Sequence, residues 1–180
     1  MVCDSGIDAD GVLGREIMST PTHPNLGSHL PVLMKLVAMT DGPILELGSG
    51  PYSTPYLHWA CYPTKRRLFT YETNPEWWEF TKKFRADFHR TYLVSDWSSV
   101  KFNRPWSIAF VDHDGVRSET VRQVVHAEYV VCHDTENKGE RRWGLVRVGR
   151  WFQSRWKYTA PRPNTTIFSN MHDLTGFSIP

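Results

Sequence analysis

Short apolar runs alternate along this chain with longer segments whose apolar residues recur at a helical period. Such runs are typical of strands buried in a sheet, because hydrophobic residues fill consecutive positions. Glycine or polar residues follow the runs and predict where the strands end. We predict five strands, at 44–47, 67–71, 91–94, 106–111 and 129–132.

The segments between these strands carry apolar residues on one helical face. The clearest is 75–88, in which Trp77, Phe80, Phe84 and Phe88 recur at spacings of three and four. A helix is also expected at 28–40, with Ser28 as its N-cap. Further helices are predicted to begin at Ser53-Thr54-Pro55, to span 116–126 and, with a less regular period, to span 143–152.

This alternation predicts an α/β fold with a doubly wound, mostly parallel sheet that binds ligands at the carboxyl ends of its strands. The segments 156–158 and 165–168 predict a C-terminal antiparallel hairpin around 161–164. Residues 1–28 have no period and predict an irregular N-terminal arm, either packed on the surface or closing over the ligand as a flap. Because no repeat or linker interrupts the chain, we predict one domain over 1–180.

Composition places the chain among ordinary globular proteins, with 40% hydrophobic and 22% charged residues. No apolar run approaches the length of a membrane span, and Asp4, Asp8 and Asp10 stand where a signal peptide would be basic. The three cysteines are widely spaced and predict no disulfide framework. We therefore expect a cytoplasmic protein that does not associate with membranes.

A glycine turn follows the first strand, in the stretch from Glu46 to Thr54. Gly48 and Gly50 break the strand, and Ser53 and Thr54 open a helix, which makes a place where a ligand can approach backbone N–H groups. A dinucleotide fingerprint would have a third glycine where this chain has Ser53. The Glu46 carboxylate argues against a pyrophosphate and for a cationic ligand. The alternative is an ordinary turn that binds nothing.

The second and third strands also end in acidic residues. Glu72 comes about 20 residues after the glycine turn, the position from which a carboxylate accepts hydrogen bonds from a ribose diol. Its alternative role is to complement the dipole of the following helix. After the third strand, Asp96 could accept from an exocyclic amine and Trp97 could stack on adenine. Asp96 is otherwise a plain turn residue.

Two clusters of ionisable residues end the fourth and fifth strands, Asp112-His113-Asp114 and His133-Asp134-Thr135-Glu136. Neighbouring strands would bring them together in the ligand crevice. Such a cluster indicates either general-base chemistry, for which neutral imidazole is suited near pH 7, or a metal site. The alternative is that some of these residues, Asp114 and Asp134 above all, cap helices.

Taken in order, these strand-end residues resemble the motifs of class I S-adenosylmethionine (SAM) methyltransferases, and the resemblance covers most of the chain. It implies SAM as the cofactor, with the glycine turn at the methionine part and Glu72 at the ribose. It also implies methyltransferase activity. The catalytic residues would then be those near the methyl group: Asp112, His113, His133 and Asp134. The cofactor contacts carried over are Glu46, Gly48, Ser49, Gly50, Ser53, Thr54, Glu72, Thr73, Asn74, Asp96, Trp97 and Asp112.

The segment Phe110-Val-Asp112-His113 also resembles the fourth-strand motif of metal-dependent catechol-type O-methyltransferases, whose aspartate binds magnesium. Carried over, Asp112 would be a Mg²⁺ ligand, with His133 or Asp134 near the second acidic ligand. A divalent ion between Asp112 and Asp134 would also relieve the repulsion of two carboxylates. The lysine of that family falls on Gly115 here, and its Asp-Asn pair is replaced by His133-Asp134.

We expect methyl transfer to an oxygen of a small or medium polar acceptor. Little chain is left for a substrate domain, so either the substrate is small or a second subunit in a homodimer completes the pocket. One alternative is an RNA methyltransferase that uses the basic, aromatic C-terminal stretch around Trp143, Trp151 and Trp156. The other is a SAM-binding protein without catalytic activity. The Asn/Asp-Pro-Pro-Tyr/Phe motif of amino-group methyltransferases is absent after the fourth strand.

Overall fold

The computed structural model describes residues 27–180, in which seven strands form a single sheet. The strands are β1 (Ile44–Leu47), β2 (Leu68–Glu72), β3 (His89–Leu93), β4 (Ile108–Val111), β5 (Tyr129–Cys132), β6 (Ser154–Tyr158) and β7 (Thr165–Ser169). The helices are α1 (Leu30–Met39), α2 (Ser53–Cys61), α3 (Pro75–Thr81), α4 (Arg117–Gln123) and α5 (Asn137–Arg142). Segments of 3₁₀ helix lie at Lys82–Phe84, Trp97–Ser99 and Leu145–Trp151.

The strand order is β3-β2-β1-β4-β5-β7-β6. Strands β1 to β5 run parallel, and the β6–β7 hairpin adds two antiparallel strands beside β5. The predicted doubly wound, mostly parallel sheet with a C-terminal hairpin is therefore confirmed. The chain order reverses between β1 and β4, and such a switch point opens a crevice at the carboxyl ends of the strands.

Strands β4 and β5 are buried on both faces, which explains their unbroken apolar sequence. In β4, Ala109 and Val111 belong to one hydrophobic cluster, whereas Ile108 and Phe110 belong to the cluster on the opposite face. Helices α1 and α2 cover one face, and α4 with the 3₁₀ segment Leu145–Trp151 covers the other. Successive side chains of a strand point to opposite faces, so both faces need apolar residues.

Several predicted helix boundaries are wrong, because tertiary contacts end or replace helices that the spacing of apolar residues predicted. The helix predicted for 75–88 ends as α-helix at Thr81, because Phe88 and His89 join the sheet: the Leu68 N–H donates to the Phe88 carbonyl. The helix predicted for 143–152 is a 3₁₀ segment, and α5 was not predicted. Ser28 does not cap α1, since its hydroxyl donates to the Pro163 carbonyl instead.

Further predictions concern membrane spans, cysteines and the N-terminal arm. None of the helices within 27–180 is long and apolar enough to cross a membrane. Cys61 and Cys132 are buried free thiols. Most of the predicted N-terminal arm, residues 1–26, lies outside the described residues.

Candidate functional site

A cavity of about 430 Å³ opens at the carboxyl ends of the parallel strands. Its volume lies in the range of small-molecule sites. The walls come from the loops after β1, β2, β4 and β5, which meet at the switch point. The lining residues are His29, Ser49, Gly50, Pro51, Tyr52, Ser53, Glu72, Thr73, Asn74, Trp77, Asp112, His113, Asp114, Arg117, His133, Asp134 and Pro163.

The glycine turn approaches the end of β4 closely. Gly48 has φ +89°, and a Cβ added to it would lie 2.4 Å from the Asp112 carbonyl oxygen. Only glycine fits such a contact and such a backbone angle. Gly50 has more room, since an added Cβ would first meet Ser53 Oγ at 3.5 Å. Gly48 therefore allows the turn to pack against the backbone of Asp112, whereas Gly50 lines the cavity.

Glu46 lies behind the turn and not in the cavity. It is fully buried, and its carboxylate accepts hydrogen bonds from the Thr54 hydroxyl (3.0 Å) and the Thr70 hydroxyl (2.7 Å). Thr54 in turn accepts the Gly50 N–H at 3.1 Å, so Glu46 holds the turn through Thr54. Burial raises the pKa of Glu46 to about 7, although these hydroxyl donors act in the opposite direction.

Glu72 lines the cavity and organises the loop around it. One carboxylate oxygen accepts from the Ser49 N–H (2.8 Å) and hydroxyl (2.9 Å). The other accepts from the N–H groups of Thr73 (2.7 Å) and Asn74 (2.9 Å). The Asn74 side chain caps α3 by accepting the Glu76 N–H at 2.8 Å. The predicted ribose ligand Glu72 thus joins the loops after β1 and β2.

Asp96 and Trp97 lie outside the cavity wall. Asp96 is exposed and caps the 3₁₀ segment that follows it, accepting the N–H groups of Ser98 (2.8 Å) and Ser99 (3.0 Å). The Trp97 ring packs on His113, with ring centroids 4.1 Å apart. Tyr52 and Trp77 do line the cavity, and Trp77 lies in the first turn of α3 after Glu72. The sequence analysis missed Trp77 as a site residue, because its spacing from Phe80 and Phe84 assigned it to the buried face of a helix.

Asp112, His113, Asp114, His133 and Asp134 meet in the cavity, as expected from the adjacency of their strands, whereas Thr135 and Glu136 do not line it. A cation that was not predicted lies between the carboxylates of Asp112 and Asp134. Arg117, at the start of α4, is almost completely buried. Its Nη2 lies 3.1 Å from Asp112 Oδ1 and 3.2 Å from Asp134 Oδ2. The same guanidinium donates to the carbonyls of His113 (2.7 Å) and His133 (2.9 Å). Arg117 therefore occupies the position between the carboxylates that sequence reasoning gave to magnesium.

The carboxylates of this cluster have opposite pKa shifts. Desolvation opposes the ionisation of Asp112, but the His133 and Arg117 charges outweigh it and lower the pKa of Asp112 below its usual value. Desolvation and the neighbouring Asp112 charge raise the pKa of Asp134. Asp134 is also the more exposed carboxylate, with 31% of its side chain accessible against 23% for Asp112. Asp134 is therefore the stronger proton acceptor of the two.

The protonation of His133 follows from its neighbours. The single Ser28 hydroxyl proton goes to the Pro163 carbonyl (2.7 Å), so Ser28 Oγ must accept from His133 Nε2 (2.9 Å). His133 Nδ1 then faces Asp112 Oδ2 at 3.1 Å. A nitrogen lone pair facing a carboxylate oxygen is unfavourable unless a proton or another cation lies between them. Burial opposes a charge on His133, yet the two carboxylates prevail and raise its pKa.

His113 and His29 are both buried beside this cluster but differ in their partners. His113 contacts the Thr120 hydroxyl through Nε2 (2.8 Å) and the Asp114 carbonyl through Nδ1 (3.1 Å). Neither nitrogen of His29 has a hydrogen-bond partner among residues 27–180. Burial lowers the pKa of each histidine to about 4. His29 is a neutral imidazole to which the sequence analysis gave no role in the site.

Solved structures show the same fold. A protein assigned as an O-methyltransferase from Klebsiella pneumoniae gives a TM-score of 0.63 over 83% of each chain, at 17% identity. An O-methyltransferase from Bacillus cereus in complex with SAH gives 0.55 over 80% of each chain, at 16% identity. The N-terminal domain of human METTL16 in complex with SAH gives 0.55 over 85% of this chain and 72% of that one, at 10% identity.

These similarities establish the fold, which is the class I SAM-dependent methyltransferase fold predicted from the strand-end residues. No protein-family model matches the chain. No curated protein matches it significantly either.

Proposed function

We propose that this protein is a SAM-dependent methyltransferase that methylates an oxygen of a small or medium polar acceptor. The observation that carries the proposal is one cavity lined by Glu72, the glycine turn and the Asp112–Asp134 cluster. The first two would hold the cofactor, and the third would hold the acceptor. The fold shared with SAH-bound methyltransferases supports this division of the cavity.

The chain's own residues fit a cationic nucleoside ligand. Glu72 lines the cavity, where a ribose diol would compete with the Ser49 hydroxyl for its carboxylate, and Trp77 offers a ring on which adenine can stack. Ser49 and Gly50 form the wall for the amino-acid part. Asp112 and Asp134 place carboxylate oxygens beside the place of a sulfonium, with the Arg117 guanidinium between them. When bound, SAM supplies an electrophilic methyl group.

The acceptor oxygen must lose its proton as the methyl group arrives. Asp134 is the best-placed base, because its pKa is raised and its carboxylate is partly open to the cavity. The acceptor O–H becomes O–CH₃, SAH remains, and the proton passes to Asp134. Arg117 holds Asp134 in place, and His113 and His133 complete the wall around the acceptor.

The RNA alternative has less support. Trp143 is buried and covered by the guanidinium groups of Arg117 and Arg142, so it offers no open ring for a base. Arg155 and Lys157 both pair with Glu140, at 2.6 and 3.0 Å. Trp143, Arg155 and Lys157 are thus engaged within the fold, whereas Trp151 remains exposed.

Two measurements test the proposal. Calorimetry should detect SAM and SAH binding, and NADH should not bind. A screen of metabolites with methyl-labelled SAM should then identify an acceptor whose methylation is insensitive to salt. An RNA substrate would instead lose affinity steeply as salt rises, with a log–log slope of about 0.7 per phosphate on single strands. SAH binding without transfer to any acceptor would leave a non-catalytic SAM-binding protein.

A further inference from the structure

His29 is a buried polar side chain without a partner. It is 3% exposed, and neither ring nitrogen makes a hydrogen bond to any residue in 27–180. Its ring packs against Phe110 and edge-on against His133, at centroid distances of 5.0 and 4.7 Å. A buried polar group without a hydrogen-bond partner destabilises the folded protein. A ligand that bonds to His29 would remove that cost.

His29 lies beside two other groups that can bind a metal. Its ligand atom and those of Asp112 and His133 all lie within 4.8 Å of one another. Metal–ligand bonds of about 2.1 Å place neighbouring ligand atoms roughly 3–4 Å apart. The three groups therefore need only a small contraction to share one ion. Asp112 Oδ2 and His133 Nδ1, at 3.1 Å, already have the separation of adjacent ligands.

The residues behind these three hold them in ligating orientations. Ser28 accepts the His133 Nε2–H, which leaves Nδ1 to face Asp112 Oδ2. A proton on Nδ1 or a metal ion can occupy the space between these two atoms, and a metal ion would take the place of the proton. Arg117 binds the other oxygen of Asp112, so Oδ2 is the one directed at His133. Such second contacts commonly fix the ring orientation and tautomer of metal-binding histidines.

We propose that His29, Asp112 and His133 bind a divalent transition-metal ion. Two imidazoles and one carboxylate suit Zn²⁺, Mn²⁺ or Fe²⁺, whereas Mg²⁺ prefers oxygen ligands only. Three protein ligands leave the remaining coordination positions open to the cavity. The site differs from an Asp112–Asp134 magnesium site, because Arg117 already bridges those carboxylates. The proposal rests on contacts alone and does not depend on methyl transfer.

Cobalt titration tests the site directly. Untagged full-length protein is treated with EDTA and titrated with Co²⁺, and visible absorption and calorimetry report binding. We expect one equivalent to bind, Zn²⁺ to displace it, and a large excess of Mg²⁺ to leave it in place. His29→Ala should weaken Co²⁺ binding at least tenfold. His172→Ala removes an exposed histidine outside the cavity and should bind as the wild type does.

A second variant covers the case in which His29→Ala fails to fold, which circular dichroism would reveal. Ser28→Ala removes the partner of His133 and should weaken Co²⁺ binding about 10-fold or more, the usual effect of losing a second contact. Wild-type protein that binds no Co²⁺ at millimolar concentration overturns the proposal. Wild-type affinity in both folded variants, or displacement by Mg²⁺, does so as well. SAH binding measured in parallel reports separately on the proposed function.

Discussion

Arg117 Nη2 lies 3.1 Å from Asp112 Oδ1, and this buried ion pair connects the start of α4 to the end of β4. The same nitrogen reaches Asp134 after β5, so one guanidinium joins the two strand ends that form the acceptor side of the cavity. Two carboxylates this close repel each other, and a fixed cation between them removes most of that repulsion. The ion pairs of Arg117 with Asp112 and Asp134 are therefore part of the fold and form without a ligand.

Replacement of Arg117 should destabilise the protein strongly. Arg117→Ala leaves two carboxylates in the same pocket and removes donors from the carbonyls of His113 and His133. Breaking a buried pair in this way costs about 3–5 kcal/mol. Urea unfolding checks the value, with Arg122→Ala, an exposed residue of the same helix, as the control that should change stability by less than about 0.5 kcal/mol. Equal stability of the two variants would contradict the ion pair.

Glu72 and Asp96 should differ in their effects on SAH binding. Glu72→Ala removes a carboxylate from the cavity wall and should weaken binding by about 1–3 kcal/mol. Trp77→Ala should weaken it by about 1 kcal/mol through lost stacking. Asp96→Ala should bind normally, since Asp96 is exposed and caps a 3₁₀ segment. Calorimetry measures all three, and weaker binding by the Asp96 variant alone would place the nucleoside elsewhere.

The sequence revealed the sheet better than the site. The apolar residues of β1 and β5 predicted both strands to the residue, because strands buried on both faces are rich in apolar side chains. Glu46 is the one polar residue of β1 and is itself fully buried. Arg117 gave no signal, since a single arginine on a short helix is normally exposed. Its burial depends on carboxylates from two strands that meet only in the folded chain. His29 was hidden for the same reason: its burial comes from packing against Phe110 and His133, far along the sequence.

Asp134 should control turnover and not cofactor affinity. Asp134→Asn preserves the shape of the side chain and tolerates the left-handed backbone at this position, where φ is +53°. The amide cannot take a proton, so we expect kcat on the identified acceptor to fall by about 10²–10⁴-fold while SAH affinity stays within about threefold. Single-turnover kinetics separate the two effects. A wild-type rate would assign the base to another residue.

Glu46 should make stability fall as pH rises. Its pKa is about 7 in the folded protein and 4.5 in the unfolded chain, so between these values the folded state holds more protons. This difference contributes to the free energy of unfolding a decrease of up to about 1.4 kcal/mol per pH unit. The buried histidines His29 and His113, whose pKa values are lowered to about 4, contribute in the opposite direction, so the Glu46 contribution is read from the difference between variant and wild type. In urea unfolding from pH 5 to 7, Glu46→Gln should lose less stability, or gain more, with rising pH than the wild type, whereas Glu119→Gln, an exposed control, should follow the wild type.

Gly48 and Gly50 should separate the structural and ligand-binding roles of the turn. Gly48→Ala forces a side chain onto a backbone with φ +89° and places its Cβ against the Asp112 carbonyl, so we expect a loss of more than about 2 kcal/mol in stability. Gly50→Ala meets only Ser53 Oγ at 3.5 Å and should unfold within about 1 kcal/mol of the wild type. Because Gly50 lines the cavity, its methyl group should nonetheless weaken SAH binding by tenfold or more. Urea unfolding and calorimetry on the two variants test both statements, and a Gly50 variant with unchanged SAH affinity would remove the turn from the cofactor site.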